Sequence, residues 1–390
     1  MIPYGKQFID KSDKKEVLKV LSESFLTTGP RTKELENLIK KKTNSKFAIT
    51  CNSGTSSLHL AFMSIGIKEN DNIVMPAVNF IASYNICKNL KANIFLADVD
   101  PIQGVMTPQT FNECIKKFKI KKIKAIVTMY LGGKPRYIEE FYKIKKINKC
   151  YLIEDACHAF GAKYKVGNNF YFAGSCKHSD IATFSFHPVK SFTTGEGGAI
   201  TTNNKYLAKK ISELRSHCII RNKNEEHWKY DVNDHGYNFR LSDINCALGV
   251  SQIKKIETFI KKRTEIANFY IKHLSKFSKY ITCDKSNNFL FNSAWHLFII
   301  SINFKKLNSN KDKFLNFLKK KNIFCQFHYI PIYKFSITKN LYKTLKNSEI
   351  YYKNAVSIPI FYSLTGNEQK KIVKIIEQFL TINSNQTKKK

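Results

Sequence analysis

The sequence predicts an α/β fold, in which a mainly parallel sheet lies between helices and a smaller α+β domain follows at the C-terminus. Apolar runs of strand length alternate with helix-like segments between residues 46 and 188. These runs are continuously apolar, which is typical of parallel strands that are covered on both faces. From about residue 240 long helical stretches predominate, with only two strand-like segments, so we expect a second domain there.

Helices and strands can be assigned in chain order. An amphipathic helix in DKKEVLKVLSESF is broken by the turn TTGP, and a second helix follows in RTKELENLIKKKT. The runs with strand character are then KFAITCNSGT, DNIVMPAVNF, ANIFLADVD, KAIVTMYLGG, CYLIEDACHAFGA and IATFSFHP. Ligands of parallel sheets bind beyond the C-terminal ends of the strands, so the polar residues at these ends are the candidates for a site.

The second half of the chain has a different pattern. It reads as one long helix from LSDINCALG to FYIKHL, followed by strand-like AWHLFIISI, a helix in KDKFLNFLKKKN, strand-like IFCQFHYIPI and a final helix in NEQKKIVKIIEQFL. We therefore predict a large domain over residues 1–240, which includes the N-terminal helices, and a small domain over 241–380. Residues 381–390 are expected to form a flexible tail.

The chain is strongly basic: 65 Lys and Arg residues against 30 Asp and Glu residues give its 390 residues a net charge of +35. Such a charge is compatible with nucleic-acid binding. The lysines, however, are spread along the whole chain, and no RNA-binding signature, zinc module or basic heptad helix accompanies them. We therefore expect solvated lysine-rich surfaces that attract an anionic small substrate, and no nucleic-acid partner.

The cysteines and the N-terminal residues bear on metal binding and location. No two of the ten cysteines form a Cys-x-x-Cys unit, so no metal site is predicted. The N-terminal residues MIPYGKQFID lack the apolar segment of a signal peptide, and no run of 18 apolar residues occurs. The sequence thus favours a cytoplasmic protein with no membrane partner.

Two acidic residues, Glu154 and Asp155, follow an apolar strand, and His158 comes three residues later. A carboxylate at the buried edge of a sheet requires a partner, and one such partner is the protonated nitrogen of a heteroaromatic cofactor. The alternative is that the two acids begin a helix, where the helix dipole favours negative charge. The residues alone leave both interpretations open.

The polar turn at residues 52–56 leads into the helical segment SSLHLAFMSIGI. Backbone N–H groups at a helix N-terminus, with hydroxyl groups beside them, suit a phosphate. The turn lacks the Gly-Lys-Ser ending of a P-loop. It is equally consistent with a plain helix cap, because capping uses the same groups.

Lys190 lies between Ser185, near the end of a predicted strand, and the glycine-rich segment TTGEGG. A lysine in a partly desolvated site has a lowered pKa and becomes a nucleophilic amine. Any single lysine in so basic a chain is a surface residue by default. The order of the segments along the chain distinguishes Lys190. A polar turn that suits a phosphate, an aromatic segment and a strand that ends in carboxylates all precede Ser185 and Lys190.

Six segments, taken in order, resemble the DegT-type sugar aminotransferases. They are LTTGP, NSGTSSLHLA, IEDACHAFGA, SFHPVK, TTGEGGA and GYNFRLSDINCALG. The resemblance covers almost the whole chain, from Ile2 to about Leu380. It implies the type I fold of pyridoxal-phosphate enzymes, as in aspartate aminotransferase, and pyridoxal 5′-phosphate (PLP) as the cofactor.

The resemblance also implies roles for individual residues. Lys190 corresponds to the lysine that carries PLP covalently and Asp155 to the carboxylate that pairs with the pyridine nitrogen, so both are predicted to be catalytic. Phe80 corresponds to an aromatic residue on the ring face, and His158 to a residue beside the ring. The phosphate-binding residues that it implies are Gly54, Thr55, Ser185 and, reaching the cofactor of a neighbouring subunit, Asn238. This last role implies a homodimer with two shared active sites.

Further segments are similar to the branch of the family that aminates UDP-linked 4-keto-6-deoxy-N-acetyl sugars with L-glutamate, towards pseudaminic acid. These segments are IPYGKQFID, FLTTGP, GSCKHSDIATFSFHPVKSFTT, HWKYDV and FHYIPIY. The chain departs from the branch at Tyr333, where that pattern has a histidine. The candidates for contact with the nucleotide sugar are Tyr4, Lys6, Thr28 and His328, each of which is equally consistent with a structural role.

Other activities remain as alternatives. A lysine at position 190 favours transamination, because a branch of the family with histidine there carries out dehydration. A different keto sugar, of the perosamine, viosamine or bacillosamine type, is the alternative substrate. A PLP-fold binding protein without catalysis is the alternative of another class, and the presence of both Lys190 and Asp155 argues against it.

Overall fold

The computed structural model describes residues 1–222, 224–283 and 291–388, with the backbone alone for 385–388. Its helices are α1 (Lys11–Leu21), α2 (Pro30–Thr43), α3 (Gly54–Ser64), α4 (Ala82–Asn89), α5 (Pro108–Phe118), α6 (Ile138–Asn148), α7 (Lys205–Leu214), α8 (Asp243–Ile253), α9 (Ile256–Leu274), α10 (Lys311–Lys320), α11 (Lys346–Asn354) and α12 (Gly366–Lys388). Its strands are β1 (Phe47–Cys51), β2 (Asn72–Pro76), β3 (Asn93–Ala97), β4 (Ala125–Met129), β5 (Tyr151–Asp155), β6 (Lys163–Val166), β7 (Asn169–Phe172), β8 (Ile181–Ser185), β9 (Gly198–Thr202), β10 (Ile219–Ile220), β11 (Asp231–Val232), β12 (Ile281–Cys283), β13 (Phe291–Asn292), β14 (Phe298–Ile302) and β15 (Ala355–Ile358).

A seven-stranded sheet organises the first half of the described chain, in the order β1-β9-β8-β5-β4-β2-β3. Strands β8, β5, β4, β2 and β3 pair in parallel, whereas β9 is antiparallel to both of its neighbours. The prediction of a mainly parallel sheet is therefore confirmed. Because β4, β5 and β8 are adjacent and parallel, their C-terminal ends meet at one edge of the sheet.

Both faces of this sheet are covered, as the continuously apolar strands predict. Successive strand residues point to opposite faces, so Leu152 and Ile126 lie in one buried cluster and Ile153 and Val127 in the other. Helices α2, α5, α6 and α8 and the start of α9 contribute to the first cluster, and α3, α4 and α7 contribute to the second. Each fully buried side chain of this size contributes about 1.5–3 kcal/mol relative to its exposed state.

The prediction of one long helix after residue 240 is wrong, because α8 and α9 are separate helices. The chain leaves helical geometry at Lys255 (φ −98°, ψ 1°), whose amine pairs with Asp10 at 2.7 Å and Asp13 at 2.9 Å. Helix α8 packs on α1 and α2. Helix α9 contributes Ile256 and Phe259 to the first cluster, and its later residues belong to the separate C-terminal core. The domain boundary predicted at residue 240 lies just before α8 and stays a prediction.

The C-terminal part combines the sheet β12-β14-β15 with α9, α10 and α12 around one apolar cluster. Helix α12 continues through residues 381–388, so the predicted flexible tail is helical as far as Lys388, and residues 389–390 lie outside the described residues. At the other end of the chain, α1 ends at Leu21, before the predicted Phe25. Within the described ranges, none of the helices has the length and apolar character needed to cross a bilayer.

Candidate active site

A cavity of about 440 Å³ opens at the C-terminal ends of the three adjacent parallel strands. Met129, Asp155 and Ser185, which are the last residues of β4, β5 and β8, all line it. The C-terminal part of the chain closes one side with His296 and Tyr329. The cavity thus lies where the sheet topology places ligands of parallel sheets.

Most of the predicted site residues are brought together by this cavity. The predicted residues that line it are Tyr4, Gly54, Thr55, Phe80, Asp155, His158, Ser185, Lys190 and His328. Lys6 lies instead beside a separate small cavity of about 20 Å³ that Lys190 also borders. Thr28 is exposed and its hydroxyl donates to the carbonyl of Thr27 at 2.7 Å, and Asn238 is exposed on the surface.

Lys190 is held in the loop that connects β8 to the antiparallel strand β9. The N–H of Phe186 donates to the carbonyl of Gly197 at 2.8 Å, and the N–H of Thr194 donates to the carbonyl of Phe186 at 3.0 Å. These bonds close the loop, so Lys190 is partly buried at the cavity wall. Burial lowers the pKa of its amine, although the charges of Cys157 and Asp155 oppose that effect.

Asp155 faces the cavity while its neighbour Glu154 lies on the other face of the sheet. The backbone N–H of Cys157 donates to the Asp155 carboxylate at 3.2 Å. Burial raises the pKa of Asp155, and the hydrogen bonds from Cys157 and the charge of Lys190 oppose this shift. The chain continues from β5 into a turn and then the hairpin β6–β7, so the alternative that these acids begin a helix is wrong.

The turn before α3 is a helix cap, and its groups would also suit an anion cradle. Ser53 is the cap, because its hydroxyl accepts from the N–H of Ser56 at 3.0 Å. Gly54 and Thr55 contribute the first N–H groups of the helix, which have no intrahelical acceptor. A Cβ on Gly54 would lie 2.7 Å from the Cβ of Ser185, so the glycine leaves open the space beside this hydroxyl. Two N–H groups and a hydroxyl at a helix N-terminus fit a phosphate.

His158 contacts Tyr329 and His296, which sequence reasoning did not identify. Its Nε2 lies 2.9 Å from the hydroxyl of Tyr329, and its ring centroid lies 4.2 Å from that of His296. Both residues come from the C-terminal part, more than 130 positions along the chain from His158. The only sequence signal was their proximity to His328 and to the strand-like segment AWHLFIISI.

The other residues singled out in the sequence take distinct positions. Phe80 is 50% exposed, and its ring centroid lies 5.6 Å from that of Tyr329. His328 is buried, its Nδ1 lies 2.9 Å from the hydroxyl of Ser357, and burial lowers its pKa to about 3. Tyr333 is outside the cavity lining, where its hydroxyl donates to the Glu349 carboxylate at 3.0 Å.

The cavity therefore combines the groups that a phosphorylated aromatic aldehyde with a basic ring nitrogen requires. Lys190 offers an amine of lowered pKa, and Asp155 offers a buried carboxylate. The turn at the start of α3 offers the anion cradle, and Phe80 offers an aromatic wall. Within the described ranges, no three His, Cys, Asp or Glu side chains are grouped as metal ligands would be.

The chain is similar to known aminotransferases along almost its whole length. Residues 7–377 match the pattern of the DegT/DnrJ/EryC1/StrS aminotransferase family. The chain is 35% identical over 372 residues to a UDP-4-amino-4,6-dideoxy-N-acetyl-beta-L-altrosamine transaminase of Campylobacter jejuni, and the match covers 95% of each chain. A protein of Methanocaldococcus jannaschii without an assigned function is 32% identical over 98% of each chain.

Solved structures share the fold. Helicobacter pylori PseC, an aminotransferase involved in the biosynthesis of pseudoaminic acid, matches with a TM-score of 0.89 at 28% identity, over 97% of this chain and 99% of that one. The PLP form of a putative sugar aminotransferase of Streptococcus pneumoniae matches with a TM-score of 0.86 at 24% identity, over 98% of this chain and 99% of that one. The predicted type I aminotransferase fold is thereby confirmed.

Proposed function

Because the chain belongs to the DegT/DnrJ/EryC1/StrS aminotransferase family, we propose that it transfers the amino group of L-glutamate to a UDP-linked 4-keto-6-deoxy-N-acetyl sugar. The product is UDP-4-amino-4,6-dideoxy-N-acetyl-beta-L-altrosamine, the sugar named for the Campylobacter jejuni relative, on a route to pseudaminic acid. The observation that carries the proposal is the 35% identity to that relative over 95% of both chains. The cavity that joins Lys190 and Asp155 supports it.

PLP supplies the electron sink for this chemistry when it is bound, because it stabilises negative charge at the carbon that loses a proton. The amine of Lys190 has a lowered pKa, which suits both of its proposed tasks. It would hold the cofactor, and it would then move a proton at the α-carbon of glutamate and at C4 of the sugar. Asp155 holds the proton of the ring nitrogen. The hydroxyl of Ser185 and the N–H groups of Gly54 and Thr55 hold the phosphate.

Gly54→Ala is expected to weaken PLP binding about tenfold, or ~1.4 kcal/mol, which is within the usual cost of overpacking. The reason is that the added methyl group would lie 2.7 Å from the Cβ of Ser185 and displace that side chain from the cradle. Titration of the apoprotein with PLP, followed by visible absorbance, measures the change. Gly366→Ala is the matched control, since a Cβ there meets nothing within 4 Å. Equal affinities in all three proteins would exclude the cradle from phosphate binding.

We further propose a homodimer in which Asn238 reaches the phosphate site of the other subunit. Asn238 is exposed and lies outside the cavity of its own chain. Large apolar side chains in the preceding ten residues of the chain are also exposed, including Trp228 at 64% and Tyr230 at 58%. If these side chains form one contiguous patch, they would suit a protein interface.

The shared site predicts complementation between two inactive variants. A mixed dimer of Lys190→Ala and Asn238→Ala subunits contains one site in which both Lys190 and Asn238 are intact, provided that Asn238 acts across the interface. We therefore expect the mixed dimer, isolated with two affinity tags, to recover about half of the wild-type activity per dimer, whereas each homodimer stays impaired. A mixed dimer with no more activity than the two parents would place Asn238 in the site of its own chain.

The substrate is tested by product analysis. The purified protein, PLP and L-glutamate are incubated with UDP-2-acetamido-2,6-dideoxy-4-keto sugars, and we expect 2-oxoglutarate together with the 4-amino sugar, identified by mass spectrometry and NMR. A higher kcat/KM with a perosamine- or viosamine-type keto sugar would replace this substrate with the alternative. An absorbance spectrum of the PLP-loaded protein that glutamate leaves unchanged would instead indicate a binding protein without catalysis.

A further inference from the structure

The hydrogen-bonding pattern of His158 fixes which of its nitrogens carries the hydrogen. His158 is 1% exposed, and burial lowers its pKa well below the usual value, so its ring is neutral. A neutral imidazole has one N–H donor and one acceptor nitrogen. The backbone N–H of Gly132 donates to Nδ1 at 3.3 Å, which makes Nδ1 the acceptor. The hydrogen is therefore on Nε2.

This assignment sets the direction of the next hydrogen bond. Nε2 lies 2.9 Å from the hydroxyl oxygen of Tyr329, so the imidazole N–H donates and Tyr329 accepts. A tyrosine hydroxyl carries one hydrogen in addition to its acceptor lone pairs. Among residues 1–222, 224–283 and 291–384, the Tyr329 hydroxyl has no second hydrogen-bond partner. Because Tyr329 lines the cavity, its hydrogen is available to an acceptor inside it.

The surroundings hold both rings in place. The ring of Tyr329 packs against Phe80, with centroids 5.6 Å apart, and against His328, with centroids 5.0 Å apart. Gly132 has φ +71°, a left-handed conformation that favours glycine, and its carbonyl accepts from the N–H of Leu297 at 3.4 Å. The segments that follow β4 and β5 are thereby joined to the C-terminal part around His158.

We propose that Tyr329 is a further positioning residue of this site, which holds the ring of His158 through Nε2 and donates its own O–H to an oxygen of the bound cofactor or sugar. Both nitrogens of His158 are then occupied, so this residue contacts the ligand through its ring atoms and supports Tyr329 with its N–H. The donation by the Tyr329 hydroxyl rests on the proposed function, because it assumes that PLP and a keto sugar occupy the cavity.

The contact between Tyr329 and His158 can be tested in the apoprotein, without cofactor. In protein labelled with ¹⁵N-histidine, we expect His158 to give a protonated Nε2, an unprotonated Nδ1 and a slowly exchanging N–H signal, assigned by its loss in His158→Gln. Tyr329→Phe keeps the ring and removes the acceptor, so exchange of this N–H should accelerate about tenfold, which corresponds to the loss of one hydrogen bond. Unchanged exchange, or a hydrogen on Nδ1, would overturn the proposal.

Tyr270→Phe is the matched control. It also removes a buried tyrosine hydroxyl, which donates to the carbonyl of Pro359 at 2.9 Å in the C-terminal core. We expect it to lower the thermal midpoint and to leave the His158 signals as in the wild type. A shift of those signals in Tyr270→Phe equal to that in Tyr329→Phe would reduce the role of Tyr329 to general stability.

The donor role is tested by binding and kinetics. We expect Tyr329→Phe to raise the Kd of PLP about three- to tenfold if the acceptor belongs to the cofactor, or the KM of the sugar by that factor if it belongs to the sugar. No change in either constant would refute the donor role. Wild-type protein that does not bind PLP would overturn the proposed function together with the donor role, while the apoprotein spectra still decide the contact with His158.

Discussion

Lys190→Ala is expected to abolish transamination and the visible absorbance of the lysine-bound cofactor. Two effects combine: the protein loses the amine that holds PLP, and it loses the group that moves the proton at the reacting carbons. Proton transfer by a positioned side chain contributes about 10²–10⁴-fold, so we expect the rate to fall by about a thousandfold or more. Steady-state assays with L-glutamate and the keto sugar, together with a spectrum of the PLP-treated protein, measure both effects.

A lysine far from the cavity provides the comparison for this variant. Lys205 is exposed at the start of α7, so Lys205→Ala removes the same side chain from the surface and should retain wild-type rate and colour. A small added amine, such as methylamine, is expected to restore part of the activity of Lys190→Ala because it can carry protons in the vacated space. Full colour and turnover in Lys190→Ala would exclude this residue from the chemistry.

Asp155→Asn is expected to retain PLP and to lose most of the rate. The amide keeps the shape of the side chain and can accept the Cys157 N–H, which donates at 3.2 Å, but it lacks the negative charge that holds a proton on the ring nitrogen. Removal of one preorganised electrostatic group of this kind costs on the order of 10²–10³-fold in kcat. Single-turnover reaction of the PLP-loaded variant with L-glutamate isolates the affected step from sugar binding.

A variant of the adjacent Glu154 is the control for Asp155→Asn, because it also removes a buried carboxylate. Glu154 is fully buried on the other face of the sheet, where it accepts from the hydroxyl of Ser179 at 2.5 Å and from the N–H of Gly174 at 2.9 Å. We expect Glu154→Gln to lower the thermal midpoint and to leave kcat nearly unchanged. If both variants lost rate equally, the assignment of Asp155 to the ring nitrogen would fail.

Local sequence was sufficient for the strands that build the site. The apolar runs ending at Met129, Asp155 and Ser185 are recognisable because buried parallel strands require uninterrupted apolar residues. The antiparallel strand β9 was not predicted, although it closes the loop that carries Lys190. Its register depends on pairing with β8 and β1, which are distant in sequence, so no local pattern specifies it.

The structure also decides two points that the sequence leaves open. The sequence between α8 and α9 keeps helical periodicity, and the break appears only where Lys255 pairs with the distant Asp10 and Asp13. The two adjacent acids Glu154 and Asp155 look alike in the sequence. The pleat of β5 separates them, so that only Asp155 reaches the cavity.

The sequence by itself determined the parallel strands, because buried strands have a local apolar pattern. The resemblance of six segments to the DegT-type aminotransferases implied the aminotransferase fold and the roles of Lys190 and Asp155. The tertiary structure alone decided that Tyr329 and His296 meet His158, and that Lys6, Thr28 and Asn238 lie outside the main cavity. The physical reason is that these positions depend on how segments distant in the chain pack against the sheet. Contacts between residues so far apart along the chain leave no periodic trace in the sequence.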